Sequence, residues 1–396
     1  MSTASPGASV RVLMNGVTGR MGHRQHLVRS VLAIREEGGV RLSDGSRVQL
    51  EPVLIGRDAR KLRELAARYG LEHWTTDLGE ALGAAPANAI YFDGLVTNAR
   101  EAAIRAAIAA GKHIYTEKPV AETADAALAL ARLAQERGVK SGVVHDKIFL
   151  PGLIKLKRLV DGGFFGRVLS LRGEFGYWVF EGDWQPAQRP SWNYRAADGG
   201  GIVTDMFAHW SYVLEHLFGP VRAVTAKAAI HIPRRWDEQG HAYDATAHDA
   251  AYAIFELGNG VIAQINSSWC VRVYRDELLE LQVDGTEGSA VAGLRGCRVQ
   301  HRATTPMPVW NPDLPAPERF REAWQEVPDK REFDNGFKTQ WESFVRHVVE
   351  DAPYTFDLAA GARGVLLAEL ALRSSAEGRR MEVPPPTPFL PVRKGV

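Results

Sequence analysis

The chain has 396 residues, 45% hydrophobic and 24% charged, the composition of a globular protein too long for one ordinary core and sized for about two domains. With 48 basic against 47 acidic residues the formal net charge is +1, which excludes the strong basic footprint of a nucleic-acid binder. No apolar run approaches the ~20 residues of a membrane span, and the start of the chain has no basic stretch followed by an apolar one, so neither an anchor nor a signal peptide is read.

In the first third, strand and helix alternate. Residues 10–14 form an apolar strand, followed by glycines and a helix over 20–37. Alternation around Asp44-Gly45 makes 40–50 a hairpin, and 52–55 is the next buried strand. Then come a helix over 59–69 stopped by Gly70, a strand over 89–92, an Ala-rich helix over 99–110, a strand over 113–116, a helix over 124–137 and a strand over 141–145. Repeated β-α units of this kind predict a doubly wound parallel sheet with right-handed crossovers, a Rossmann domain over residues 10–150.

After Pro151 the pattern changes. A helix over 153–161 is followed by longer alternating stretches over 167–177, 221–230, 250–256, 261–271 and 278–283, interrupted by a helix over 204–217. They predict an α+β domain with a mainly antiparallel open sheet over 151–383. Residues 304–317 are Pro-rich and read as a loop, 336–350 and 359–377 return to helix, and 384–396 read as a surface tail. There is no internal repeat. Cys270 and Cys297, the only cysteines, lie far from each other and from any histidine cluster, so no metal site or disulfide is expected and a reducing cytoplasm is the expected location.

Gly16-Val17-Thr18-Gly19-Arg20-Met21-Gly22 follows a strand and opens a helix, where bare backbone can approach a pyrophosphate and the helix N-terminus favours an anion. Gly16, Thr18, Gly19, Arg20 and Met21 are therefore the candidate dinucleotide contacts, although the spacing is GxxGxxG rather than GxGxxG and a tight turn is the competing reading. An acid should end the second strand if the cofactor is NAD. Gly56, Arg57 and Asp58 stand there: Arg57 suits a 2′-phosphate, Asp58 a ribose, and NAD against NADP stays open. Thr97, past the next strand, joins the cofactor candidates.

Glu117-Lys118-Pro119 follows a strand that should end at the ligand-binding edge of the sheet. A cis bond at Lys118-Pro119 would aim the ammonium into the cleft, to stabilise an alkoxide or move a proton; the other reading is a surface lysine in a turn. Asp205 and His209, after Gly199-Gly200-Gly201, are i and i+4 on one helical face, as a base and its orienting carboxylate would be, or as an ordinary exposed pair.

Together the glycine loop, Gly111-Lys112-His113 with Glu117-Lys118-Pro119, Phe149-Leu150-Pro151, Gly163-Phe164-Phe165-Gly166 and Gly199-Gly200-Gly201 with Asp205 and His209 resemble the Gfo/Idh/MocA family of nicotinamide-dependent sugar and cyclitol oxidoreductases, over residues 10–384. The resemblance implies that Lys118, Asp205 and His209 are catalytic, that Glu117 and Lys118 lie at the cofactor, and that the protein is a homodimer or homotetramer packed through the C-terminal sheet. The chain departs from the family in its glycine spacing, in Val96-Thr97 where the family has Thr-Pro, and in the lost acid at Gly56. The glycine loop and the stretch from Trp184 to Tyr194 look most like a branch of NAD-dependent glycosidases acting on sulfoquinovosides.

Tyr177, Trp184, Trp192 and Tyr194 offer aromatic faces to a sugar, Arg189 and Arg195 offer guanidinium forks to an anionic group on it, and His145 and Lys147 end the last Rossmann strand. The opposing reading is an aromatic loop packed on its own domain. Arg234-Arg235 is a second, weaker anion candidate. Three functions compete. The first is an oxidoreductive glycosidase, which oxidises C3, eliminates the aglycone, adds water and re-reduces. The others are a dehydrogenase with net oxidation of a ring hydroxyl, and a cofactor-binding sensor without catalysis.

Overall fold

The computed structural model describes residues 8–315, 317–330 and 332–385; the tail expected from 384 on lies almost wholly outside them, as does the start of the chain. The chain divides into two compact units. One runs to Phe149 and resumes over Asp334–Leu366; the other comprises Leu150–Phe333 and Leu367 to Pro385.

In the first unit β1 (Ser9–Asn15), β2 (Val40–Arg41), β3 (Arg47–Ile55), β4 (Trp74–Thr75), β5 (Ile90–Asp93), β6 (His113–Thr116) and β7 (Ser141–Val143) form one sheet in the order β2-β3-β1-β5-β6-β7, with β4 beside β3. All pairings are parallel except β2 on β3. The hairpin and the strand read separately over 40–55 are joined: β3 continues through Pro52, whose partner is Val12 of β1. Neither β2 nor β4 reaches Pro52 on the other side of β3, so a residue without an N–H is tolerated there. The two-residue β4 and α3 (Leu78–Ala84) were not expected; α3 is a Gly- and Ala-rich turn of chain held by the Asp77 cap.

Helices cover both faces of this sheet. The first, α1, is π-helical over Gly22–Leu32 and α-helical over Ala33–Glu36, where an α-helix from residue 20 was expected. It and α2 (Ala59–Tyr69) send Leu27, Val31, Leu62 and Leu65 onto one face. Helices α4 (Thr97–Ala109) and α5 (Ala124–Glu136) send Ile104, Ile108, Ala127 and Leu130 onto the other.

The strand β6 carries a pH-sensitive group. His113 Nδ1 accepts the Lys140 N–H at 3.0 Å, and burial, with Lys140 and His347 adding to it, lowers its pKa from 6.5 to about 4. The unfolded chain therefore takes up this proton first as pH falls. The contribution of neutral His113 is complete above pH 6.5 and is lost between 6.5 and about 4, at a steepest slope of about 1.4 kcal/mol per pH unit. In urea unfolding at pH 7 and 5, His113→Gln, which keeps an acceptor for Lys140, is expected to lose less stability between the two pH values than the parent.

The second unit begins with α6 (Pro151–Asp161) and α7 (Ile202–Phe218) around a nine-stranded sheet, counted among the described residues. Its strands are β8 (Val168–Gly176), β9 (Val221–Ala229), β12 (Ala250–Leu257), β13 (Ile262–Ser268), β14 (Leu279–Gly285), β15 (Gly288–Ala292), β16 (Cys297–His301), β17 (Gln325–Glu326) and β18 (Met381–Glu382), with β10 (Arg234–Trp236) and β11 (Ala242–Asp244) as a separate hairpin. The order is β17-β16-β15-β14-β8-β13-β12-β9-β18, antiparallel except β8 with β13. Helix α7 lays Phe207 against Phe255, with ring centroids 5.5 Å apart, and Trp210 Nε1 donates to Ser267 Oγ at 2.9 Å. On the strands, Tyr252, Ile254 and Ile262 are exposed while their neighbours in sequence Ala253, Phe255 and Ala263 are buried, as a one-sided sheet requires. No described helix is long and apolar enough to cross a membrane.

Two helices follow the loop after β17, α8 (Gly336–Glu350) and α9 (Leu358–Glu377). The sequence placed both with the second domain. Instead α8 packs on the first sheet, Trp341 at 4.4 Å and Phe344 at 5.0 Å from the Tyr115 ring, and α9 is divided: Leu358 and Ala362 enter the core on the opposite face, while its residues from Leu367 on belong to the second unit, where Ser374 Oγ accepts the Ala226 N–H at 3.0 Å. An amphipathic helix shows which of its faces is buried but not against what.

Candidate functional site

The cofactor loop leaves the C-terminal end of β1. Gly16 has φ +80° and donates its N–H to Ile55 O at 3.2 Å. A Cβ on Gly16 would stand 2.6 Å from the Gly94 backbone, and one on Gly22 2.6 Å from Gly16 O. These two glycines fold the loop tightly, while Thr18, Gly19 and Arg20 stay exposed and Met21 half-buried, so bare backbone is offered at the strand ends. The cradle fits a dinucleotide pyrophosphate despite its altered spacing. Thr97 is half-buried at the first position of α4. Asp58 is the N-cap of α2: Oδ1 accepts the Lys61 N–H at 3.0 Å, and that bond, against a smaller effect of burial, lowers the carboxyl pKa. The role expected of it toward the ribose would therefore share the carboxylate with a cap; Arg57 beside it is exposed.

A network missed in the sequence shapes the loops after β5 and β6. Buried Asp93 pairs with Arg100 Nε at 2.9 Å and accepts Tyr91 OH at 2.9 Å, and Arg100 also donates to the carbonyls of Leu95 and Pro119. Arg100, one of two arginines in an Ala-rich helix, gives no sequence sign of this.

Lys118 is half-buried and its bond to Pro119 is cis. Glu117, expected to touch cofactor, is turned inward: Oε1 meets His26 Nε2 at 2.8 Å and Oε2 accepts the Lys118 N–H at 3.2 Å. Both oxygens are engaged by protein, so its place is behind the turn rather than on a ligand. Burial raises its pKa, but His26, Lys118 and Arg100 together hold it below the usual carboxylate value. His145 is buried, its main-chain N–H on Gln340 Oε1 at 2.8 Å, and Lys147 pairs with Asp146 at 2.6 Å.

The second constellation belongs to the other unit. A Cβ on Gly200 would meet Trp192 O at 2.4 Å, and Gly201 has φ +117°, so the glycine triplet is what allows the loop to close on itself before α7. On α7, Asp205 Oδ2 accepts Arg189 Nη2 at 2.7 Å, and the same nitrogen reaches Asn193 Oδ1 at 2.9 Å. The Arg189 guanidinium stacks 4.0 Å above the Trp269 ring and lies 3.4 Å from Tyr177 OH. Burial works against its charge, but Asp205 and Tyr177 hold its pKa above the ordinary arginine value. Arg189 was expected as a fork for an anionic substrate; its terminal nitrogens are instead taken by Asp205, Asn193 and Tyr177. His209, buried one turn on, has Nδ1 2.6 Å from the hydroxyl of Tyr212, a partner the sequence reading did not single out.

Other expected substrate residues divide. Tyr177 stays with Arg189, Trp192 is half-exposed, and Trp184 is 70% exposed beside Phe180. Tyr194 is fully buried, with the Arg235 guanidinium 3.9 Å over its ring and Trp269 at its edge, so it is core rather than pocket wall. Arg195 lies 4.6 Å from the Tyr243 ring. Arg235, the weaker anion candidate, is 1% exposed and paired with Asp249 at 3.3 Å; it is a core ion pair. Cys270 and Cys297 are both unpaired, and burial raises both thiols, that of Cys297 to about 12.

Comparison with known proteins adds the following. Residues 10–145 match the model described as oxidoreductase family, NAD-binding Rossmann fold, and residues 153–291 the GFO/IDH/MocA C-terminal domain. The chain is 61% identical over 381 residues to a D-xylose dehydrogenase of Paenarthrobacter nicotinovorans, covering 95% of this chain and 98% of that one. It is 26% identical over 246 residues to a levoglucosan dehydrogenase of Pseudarthrobacter phenanthrenivorans, 58% of this chain and 61% of the relative. Among solved structures, levoglucosan dehydrogenase in complex with NADH and L-sorbose superposes with a TM-score of 0.77 at 21% identity, over 95% of this chain and 99% of that one, a likeness of fold.

Proposed function

The chain belongs to the Gfo/Idh/MocA family of NAD-dependent oxidoreductases, and on that premise we propose that it is a sugar dehydrogenase oxidising a ring hydroxyl of a free aldose, D-xylose first among the candidates. The observation that carries this reading is the 61% identity, over nearly the whole of both chains, to a D-xylose dehydrogenase. It favours net oxidation over the hydrolysis of sulfoquinovosides. The commitment of Arg189 to Asp205 and Asn193 also takes away one of the two forks expected to hold a sulfonate.

When bound, NAD supplies a two-electron acceptor; Gly16, Thr18, Gly19, Arg20, Met21 and Thr97 would hold it. His209 takes the hydroxyl proton. For its Nε2 to present a lone pair, Nδ1 must carry the ring proton and donate it to Tyr212 OH, the geometry that the 2.6 Å contact allows. Asp205, kept in place by Arg189, orients a neighbouring substrate hydroxyl, and the ammonium of Lys118 stabilises the developing alkoxide. The exposed apolar residues of the second sheet are the proposed packing surface of a homodimer or homotetramer.

Arg57 also suits a 2′-phosphate, so NADP is expected to be accepted beside NAD. Arg57→Ala should raise the KM for NADP about tenfold, the worth of one charge-assisted hydrogen bond, and leave that for NAD within about twofold. The reading itself is tested with D-xylose and a panel of pentoses and hexoses: one NADH should form per sugar consumed, with saturation by at least one aldose. A panel that leaves NAD unreduced would overturn it.

A further inference from the structure

We propose that His26 and Trp341 are positioning residues that set the place of Lys118 through the carboxylate of Glu117. The proposal rests on the assignment of Lys118 to the reaction and adds to it the device that aims the residue.

The argument is one of hydrogen-bond accounting. An indole N–H can only donate, so the 3.0 Å contact from Trp341 Nε1 makes His26 Nδ1 an acceptor. The ring proton is then on Nε2, and its 2.8 Å contact with Glu117 Oε1 is a donation to a carboxylate. The other oxygen, Oε2, accepts the main-chain N–H of Lys118. The direction of every bond is thus fixed by the one group that cannot reverse: Trp341 to His26, His26 to Glu117, and Lys118 to Glu117 from the other side.

These groups are also enclosed. His26 and Trp341 are 0% exposed and Glu117 is 8% exposed. The His26 ring lies 4.3 Å from Phe92 and meets Phe337 edge-on at 5.3 Å, so it is packed between aromatic rings. His26 stands on the helix that the glycine loop opens, and Trp341 on α8, far away in sequence. The turn bearing Lys118 is therefore held from the cofactor-loop helix and from α8 at once. Apolar side chains of similar volume would fill the same space at little or no loss of stability. Three buried polar groups spent on one main-chain N–H beside Lys118 point to placement.

The test is a double-mutant cycle. Trp341→Phe removes the indole N–H and keeps an aromatic ring. Its kcat is expected to fall about tenfold, in line with the cost of a small misplacement, while the sugar KM and the NADH dissociation constant, read by fluorescence titration, stay within about twofold. In a Lys118→Met background, measured by single turnover, Trp341→Phe should cost almost nothing further. His26→Leu should behave as Trp341→Phe does. His26→Gln, whose amide can still donate to Glu117, should recover most of kcat, and this pair keeps the test intact if Trp341→Phe does not fold. An unchanged kcat in Trp341→Phe and His26→Leu, or an equal loss with and without Lys118, would overturn the proposal. Full activity in Lys118→Met alone would overturn the role of Lys118 itself, a separate failure visible before either positioning variant is made.

Discussion

His209→Asn should lower kcat by about 10² to 10⁴-fold, the range for loss of a general base, with the sugar KM changed much less. The side chain is buried on α7 with Nδ1 2.6 Å from the Tyr212 hydroxyl, and the proposed function assigns the proton transfer to its other nitrogen. Asparagine keeps a polar group of similar reach but no basic nitrogen, so substrate binding survives and proton removal does not. NADH binding is expected to change little, since the substitution leaves the glycine loop proposed to hold the dinucleotide intact. Steady-state kinetics and a fluorescence titration on the same preparation decide it. A kcat within threefold of the parent would remove His209 from the reaction and bring back the non-catalytic sensor.

The largest expected loss of stability lies elsewhere in that unit. Asp249 is 0% exposed; Oδ1 accepts the His231 N–H at 2.7 Å, and Oδ2 accepts the Ile232 N–H at 3.0 Å and Arg235 Nη2 at 3.3 Å. Asp249→Ala leaves a buried guanidinium without its counter-charge and two main-chain donors without an acceptor. A cost of about 3–5 kcal/mol is expected, a large part of the ~5–15 kcal/mol that holds a domain folded. Arg235→Met should cost less, because Asp249 keeps both main-chain partners. Urea unfolding of the three proteins measures the order. A loss under about 1 kcal/mol for Asp249→Ala would mean that water reaches the guanidinium and the pair is not a core element.

Much of the fold was legible because its signals are local. The β-α alternation of the first third, the helix stopped by Gly70, and the strand over 113–116 follow from periodicity and backbone chemistry within a few residues of each other. What escaped was short or distant. The two-residue β4, β17 and β18 exist through pairing with strands remote in sequence, and Gly288–Ala292 is too small-sided to show alternation. Helix α8 announced its amphipathicity but not the sheet that receives it.

The site divides in the same way. Asp205 and His209 share a helical face by spacing alone, and the glycine loop by its position after a strand. The partners of these residues are set by tertiary structure. Nothing near Tyr194 or Arg235 in sequence says that each would be buried against the other, and nothing near Arg189 says that Asp205 would hold it. Tyr212 was within reach, at i+3 from His209, and a search of that helical face for hydroxyls would have found it.

The measurement that bears most directly on the central claim is a two-channel assay. The protein receives NAD with free D-xylose and, separately, with aryl glycosides that include an aryl sulfoquinovoside, while NADH absorbance and aglycone release are recorded together. A sugar dehydrogenase gives NADH in step with the free sugar consumed and releases no aglycone. Sustained aglycone release over many turnovers without net NADH would contradict it and restore the oxidoreductive glycosidase.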